Sequence, residues 1–112
     1  MPSLGAMIEE FEADIEVRGD ELWVLPRGEL DLAAAPELQE ALHLALVSDA
    51  RAIVIDLRGL ELLDSTGLRA LLEALSSEGG DRISLVQGSE LVEGVFRVSG
   101  LLEDLPFRPA DA

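Results

Sequence analysis

The sequence contains no cysteine, which excludes disulfide bonds and thiol chemistry within this chain. It also lacks a long hydrophobic run, since no apolar stretch reaches the roughly 18 residues that a membrane-spanning helix needs. The first residues lack the basic-then-apolar pattern of a secretory signal peptide. We therefore expect a cytoplasmic protein that does not bind a membrane.

Positive charge is scarce, because the chain has eight basic residues, all of them arginine, against 23 acidic residues. The formal net charge of −15 opposes binding to nucleic acids, whose affinity for proteins comes largely from cations that neutralise phosphates. It also opposes docking on anionic membranes. A basic or mixed-charge protein partner is favoured instead. The alternative explanation is that the acidic residues only keep the protein soluble.

Apolar residues make up 48 % of the 112 positions, which is sufficient for a buried core. The length suits one domain, and the sequence shows no repeats and no low-complexity linker. We therefore expect a single domain over residues 1–112, with an ordered core over about 9–107.

The first third of the chain predicts a β-hairpin. Residues 11–17 alternate apolar and acidic side chains, which is the period of a half-buried strand. Residues 18–21 indicate a turn into a second strand at 22–25, antiparallel because the connection is short. Pro26 indicates that this strand ends or bends there.

Helices and further strands alternate after the hairpin. Residues 28–31 predict a loop in which Asp31 or a nearby residue caps a helix at 36–47, and the last helix is predicted at 90–98. The middle helix carries a leucine stripe: Leu68, Leu71, Leu72 and Leu75. Further strands are predicted at 53–55, covered on both faces, at 83–86 and at 101–107. This order predicts an α/β fold with a mixed β-sheet and helices packed on it.

The most informative motif is the segment Asp64-Ser65-Thr66-Gly67 between an apolar strand and the leucine-striped helix. It places the small hydroxyl of Ser65 at or beside the first turn of a helix, where free backbone N–H groups collect. Such a position can cap the helix, hold an anion, or accept a phosphoryl group. The residues alone leave these three uses open.

In three segments the sequence resembles the STAS domain, and within it the bacterial anti-sigma factor antagonists. The segments are 28–31 with 36–38, 54–57 through 63–68, and 85–89 with 95–96 and 100–101. The resemblance implies a STAS-type fold and a role in a partner-switching circuit. In that family the unmodified antagonist binds an anti-sigma factor that is also a serine kinase, and a sigma factor is thereby freed for transcription.

Carried over to this chain, the resemblance makes Ser65 the phosphorylation site. Phosphorylation by the kinase would release the antagonist, and a serine phosphatase would reset it. The predicted partner-binding residues are Asp64, Ser65, Thr66, Gly67, Leu68, Arg69, Glu29, Leu30 and Asp31. We expect no catalytic residue, no cofactor and no metal in this chain, and a monomer in solution.

The sequence leaves two alternatives to the antagonist role open. One is a structural STAS subunit of a sensory or lipid-transport complex, in which the serine is never modified. The other is a small-molecule binding module that holds an anion at the same helix N-terminus. Catalysis is not indicated, because the only histidine, His43, is expected at the surface and no cysteine or second histidine accompanies it. The glycines match neither a phosphate-binding loop nor a dinucleotide fingerprint.

Overall fold

The structure, a computed structural model, describes residues 11–109, so residues 9 and 10 of the expected core lie outside the described part. The strands are β1 (Glu12–Arg18), β2 (Glu21–Leu30), β3 (Ala52–Asp56), β4 (Leu60–Leu63) and β5 (Ile83–Val86). The α-helices are α1 (Ala35–Val47), α2 (Ser65–Ser76) and α3 (Glu90–Val98). Short 3-10 helices lie at Leu57–Gly59 and Gly80–Arg82. The predicted mixed α/β fold is confirmed.

The sheet is mixed, as predicted. Strand β1 pairs antiparallel with β2, which forms the predicted hairpin. Strands β2, β3 and β5 then pair in parallel in the order β1-β2-β3-β5, and β4 also pairs in parallel with β2. Parallel neighbours are joined by helices, because a parallel connection must cross back over the sheet.

The main core lies between the sheet and its helices. Its sheet side is formed by the fully buried side chains of Val24, Ile53, Ile55 and Leu85. Its helix side is formed by the predicted apolar stripes of the first two helices, including Leu38, Leu42 and Leu71, together with Phe96 of α3. A smaller cluster of Trp23, Val54 and Val86 lies on the other face of the sheet. The run 53–55 is therefore covered on both faces, as its β-branched residues predicted.

The second strand is longer than predicted. The loop expected at 28–31 is wrong, because Gly28, Glu29 and Leu30 belong to β2 and pair with β4. Pro26 does not end the strand either. It lies between the part of β2 that pairs with β3 and the part that pairs with β4, where a missing N–H costs no ladder hydrogen bond.

Two further predictions are corrected. Residues 101–107 form turns with a single bridge between Leu85 and Phe107 instead of a strand. Strand β1 forms as predicted, but its apolar face is only partly covered, since Ile15 is 39 % and Val17 is 73 % exposed. On this face the Ala13 side chain still packs against the main core.

Candidate functional site

The site is the turn from β4 into α2, and Asp64 fixes it. The Asp64 N–H donates to the Leu30 carbonyl at the end of β2, at 3.1 Å. Its side-chain Oδ1 accepts from the Gly67 N–H at 3.0 Å, and its carbonyl accepts from the Leu68 N–H at 2.9 Å. Asp64 is thus the N-cap of α2, and the capping role considered for Ser65 belongs to its neighbour.

Ser65 is the first residue of α2, and its side chain is exposed. Among residues 11–109, its hydroxyl finds no hydrogen-bond partner. Asp64 accepts from the N–H groups of Gly67 and Leu68, whereas the N–H groups of Ser65 and Thr66, at the positive end of the helix dipole, have no acceptor within residues 11–109. The turn therefore presents a hydroxyl beside two N–H donors that suit an anion.

Gly67 allows α2 to begin this close to the sheet. A Cβ added there would lie 2.6 Å from Leu30 Cγ and 2.9 Å from Leu63 Cδ1, closer than real contacts allow. The absence of a side chain at Gly67 thus serves the packing of α2 against β2 and β4, and Gly67 itself is buried.

The structure brings most of the predicted partner-binding residues to one end of the sheet, but not all of them reach its surface. Leu30 is fully buried and Leu68 is 8 % exposed, so both side chains belong to the core. Ser65, Arg69 and Glu29 are exposed. Half-buried residues of the set are Asp64, Thr66 and Asp31; the Asp31 carboxylate accepts from the Ala34 N–H at 3.0 Å, in the turn before α1.

An apolar groove beside Ser65 was missed in the sequence. It lies between the start of α2 and the outer side of α3, and it is lined by Leu63, Ser65, Glu90, Leu91, Gly94, Val95, Val98 and Ser99. Leu91 is 64 % and Val98 is 90 % exposed. The signal was present, because Leu91, Val95 and Val98 follow helical spacing along the side of α3 next to the one that buries Val92 and Phe96.

A salt bridge joins the buried Asp56 to Arg58, whose side chain is exposed, in the segment that leads towards the site. The Asp56 carboxylate, at the end of β3, accepts from the Arg58 backbone N–H at 3.0 Å and from its guanidinium at 2.7 and 2.9 Å. Burial alone would raise the pKa of Asp56, but the hydrogen bonds and charge of Arg58 outweigh burial and lower this pKa below its ordinary value. The pair holds the 3-10 turn that leads from β3 into β4.

The remaining features are the histidine, the possible metal ligands and the length of the helices, none of which adds a second site within residues 11–109. His43 is exposed on α1, as predicted. Within residues 11–109, no three histidine or acidic side chains are grouped so that they could hold a metal ion. In the same part of the chain, every helix is too short or too polar to cross a membrane.

The fold and this turn define a STAS-type domain. A family model described as "Mlab, STAS domain" matches residues 15–106. The chain therefore belongs to the STAS domain family, as the sequence resemblance implied.

Solved structures agree with this assignment. An anti-sigma factor antagonist from Mycobacterium paratuberculosis is 26 % identical, with a TM-score of 0.81 over 89 % of this chain and 86 % of that chain. The antagonist SpoIIAA in its unphosphorylated form is 22 % identical, with a TM-score of 0.67 over 91 % of this chain and 90 % of its own. The Bacillus cell fate determinant SpoIIAA in the phosphorylated form is 21 % identical, with a TM-score of 0.61 over 91 % and 94 %.

Because the two SpoIIAA structures are less than 25 % identical to this chain, they show the shared fold alone. None of the curated proteins matches the sequence.

Proposed function

We propose that this protein is an anti-sigma factor antagonist that works by partner switching. Its unphosphorylated form binds an anti-sigma factor that is also a serine kinase, and a sigma factor is thereby freed. The kinase phosphorylates Ser65 and the antagonist is released, until a serine phosphatase removes the phosphate. In this proposal ATP and its divalent metal are bound by the kinase, and the antagonist itself is not an enzyme.

The observation that carries the proposal is the exposed, unbonded hydroxyl of Ser65 at the first position of α2. A kinase needs a hydroxyl that protrudes and is not engaged elsewhere, and the cap role that would engage it is filled by Asp64. The likeness to an antagonist that is 26 % identical supports the same role.

The helix start tolerates the product of the reaction. A phosphoserine carries a charge of about −1.5 to −2 at neutral pH. The unbonded N–H groups of Ser65 and Thr66 and the helix dipole favour that charge, so the fold need not change. A partner that covers Ser65 would instead have to desolvate the phosphate, which costs several kcal/mol, and each 1.4 kcal/mol is tenfold in affinity.

The groove between Ser65 and α3 supplies the apolar part of the proposed interface. Exposed Leu91 and Val98 flank it, and a partner that covers them also covers Ser65. Apolar side chains that become buried in the interface would provide affinity, and a phosphate added beside them at Ser65 would lower it. With a chain charge of −15, the partner surface that fits is basic or mixed in charge.

The test uses the purified chain with an anti-sigma factor kinase of the same organism and ATP. We expect one phosphate on wild type, at Ser65 by mass spectrometry, and none on Ser65→Ala. In binding assays without ATP, Ser65→Ala should keep the affinity of wild type, while Ser65→Asp should lose at least about tenfold.

A matched control is Ser76→Asp, which adds the same charge to an exposed serine at the other end of α2. Its affinity for the kinase should stay within about twofold of wild type, since it lies outside the proposed interface. Equal binding by Ser65→Asp and wild type would overturn the proposal, and so would phosphorylation at another residue.

A second candidate is a structural STAS subunit whose serine is never modified. The observation in its favour is that the matching family model is described as a Mlab STAS domain and not as an antagonist. This candidate predicts a stable assembly with the partner in the presence of ATP and no phosphate at Ser65, so the same experiment separates the two roles.

A further inference from the structure

The outer edge of the sheet, formed by β1, is a second candidate binding surface. Among residues 11–109, strand β1 pairs with β2 on one side and with no strand on the other. The Ala13 N–H donates to the Glu37 carboxylate at 3.2 Å and therefore points away from β2. In an antiparallel ladder alternate residues point the same way, so the N–H and carbonyl groups of Ile15 and Val17 also face outward. Within residues 11–109, these outward groups make no hydrogen bond.

Apolar side chains accompany this open backbone edge. Ile15 is 39 % and Val17 is 73 % exposed on the side of the sheet that α1 covers. Leu44 of α1 is 53 % exposed. Leu44 lies two helical turns after Glu37, whose side chain reaches β1, so it is on the same side of α1.

This edge patch, defined by Ile15, Val17 and Leu44, is remote from Ser65. Val17 lies opposite Leu22, at the start of β2. The turn that presents Ser65 is bonded to Leu30, at the other end of that strand. The intervening eight residues of strand span about 26 Å, at roughly 3.3 Å per residue.

We propose that the edge patch binds an extended segment of a second protein partner by β-strand addition. The segment has alternating apolar and basic residues. Its backbone pairs with Ile15 and Val17, and its apolar side chains pack over the edge patch. Its basic side chains lie on the opposite face, beside the acidic residues of β1. The surface is independent of the one proposed at Ser65, so it stays available whether or not Ser65 carries a phosphate.

Charge selects this occupant over a second copy of the chain. The other face of β1 carries Glu12, Asp14, Glu16 and Arg18. Arg27 lies 3.2 Å from Glu12 and 2.9 Å from Asp14, and Arg18 lies 2.7 Å from Glu16, so three acids share two arginines. An added strand places its side chains directly opposite these acids, which favours lysine or arginine. A second β1 would mostly oppose acid to acid, in a chain whose charge is −15.

The test uses the full chain and an eight-residue peptide that alternates valine with lysine, capped at both ends. The control peptide alternates valine with glutamate. We expect saturable binding of the lysine peptide by calorimetry, at least about tenfold tighter than the control. Hydrogen exchange of the Ile15 and Val17 amides should slow at least about tenfold when the peptide is bound.

Two variants locate the binding surface. Val17→Lys removes an apolar contact and repels the peptide, and it should weaken binding at least about tenfold. Leu32→Lys is the matched control, because Leu32 is also 73 % exposed but lies outside the edge patch; it should stay within about twofold. Circular dichroism checks that both variants are folded. Ser65→Asp should bind the peptide like wild type, which separates this inference from the function proposed at Ser65.

Three results would overturn the inference. The first is no saturable binding of the lysine peptide up to about 1 mM. The second is equal binding by Val17→Lys and wild type. The third is a wild-type dimer in sedimentation that Val17→Lys converts to a monomer, because a second copy would then occupy the edge.

Discussion

The Asp64 carboxylate accepts a hydrogen bond from the Gly67 N–H at 3.0 Å, in the same turn that exposes Ser65. This bond gives the helix its cap without using the serine. The cap of the helix and the proposed phosphorylation site thus lie on adjacent residues. A change in the charge of Ser65 need not unfold the helix start, and a change at Asp64 should act on the fold first.

Removing the cap is therefore expected to destabilise the protein. Asp64→Ala leaves the Gly67 N–H without its acceptor and should lower the free energy of unfolding by about 1 kcal/mol in urea denaturation. Asp64→Asn retains a capping oxygen and should stay within a few tenths of a kcal/mol of wild type. If Asn were as damaging as Ala, the charge of Asp64 and not its cap bond would be what the fold requires.

Gly67 is expected to tolerate no side chain. In Gly67→Ala the new Cβ would lie within 3 Å of Leu30 and Leu63, so α2 must shift away from the sheet. Overpacking of this kind costs about 1–3 kcal/mol, which exceeds the gain of about 0.5–1 kcal/mol from replacing a helical glycine. Urea denaturation should show a net loss of stability, and a more stable Gly67→Ala would contradict the close approach described above.

The opposite result is expected at Gly94, which lies inside α3. A Cβ added there meets nothing within 4 Å, so only the helix propensity changes. Gly94→Ala should raise the free energy of unfolding by about 0.5–1 kcal/mol. Measured beside Gly67→Ala in the same urea series, it shows whether local packing decides the sign; a loss of stability would mean that α3 is more crowded here than the contacts indicate.

Local patterns predicted the helices and the central strands, because their periodicity reflects the core directly. The bounds of α3 agree with the predicted 90–98, and the run 53–55 lies within β3. The loop predicted at 28–31 failed for a nonlocal reason. Those residues become strand only because β4 pairs with them, and the sequence 60–63 gave no separate strand signal beside the 3-10 turn.

The position of Ser65 could be predicted from the sequence, but the residues that surround it in the fold could not. The motif placed Ser65 at a helix start, because the helix has to begin in the short polar turn between the apolar strand and the leucine stripe. The sequence could not show that Leu30 packs under Gly67, or that the outer side of α3 faces Ser65. Both depend on how separate elements meet in space.

Acid should weaken the fold through Asp56. Its folded-state pKa lies below the ordinary value of 3.8, so the bonds to Arg58 stabilise the protein fully above that pH and are lost as pH falls through the folded-state pKa. Asp56→Ala should therefore cost about 1–3 kcal/mol at pH 7, and less at an acidic pH at which the folded-state carboxylate of Asp56 is protonated. Urea denaturation of both proteins at the two pH values measures this, and an equal cost at both would show that charge is not involved.

Phosphorylation of Ser65 is expected to stabilise α2 with the help of Arg69. Arg69 lies four residues after Ser65, on the same side of the helix; it is exposed, and no acidic residue within 11–109 pairs with it. A phosphate at Ser65 would interact favourably with the helix dipole and with the Arg69 guanidinium. Together these interactions should raise the free energy of unfolding by about 0.5–1.5 kcal/mol. Urea denaturation of phosphorylated and unphosphorylated protein measures the gain.

Arg69→Ala should remove about 0.2–0.5 kcal/mol of that gain while leaving the unphosphorylated protein nearly unchanged. Arg97→Ala is the control, because Arg97 is an equally exposed helical arginine that pairs with Glu93 at 2.7 Å. It should lower stability by a similar small amount in both forms. A gain on phosphorylation that is the same in wild type and Arg69→Ala would assign the effect to the helix start alone, since a true pair must disappear with either partner.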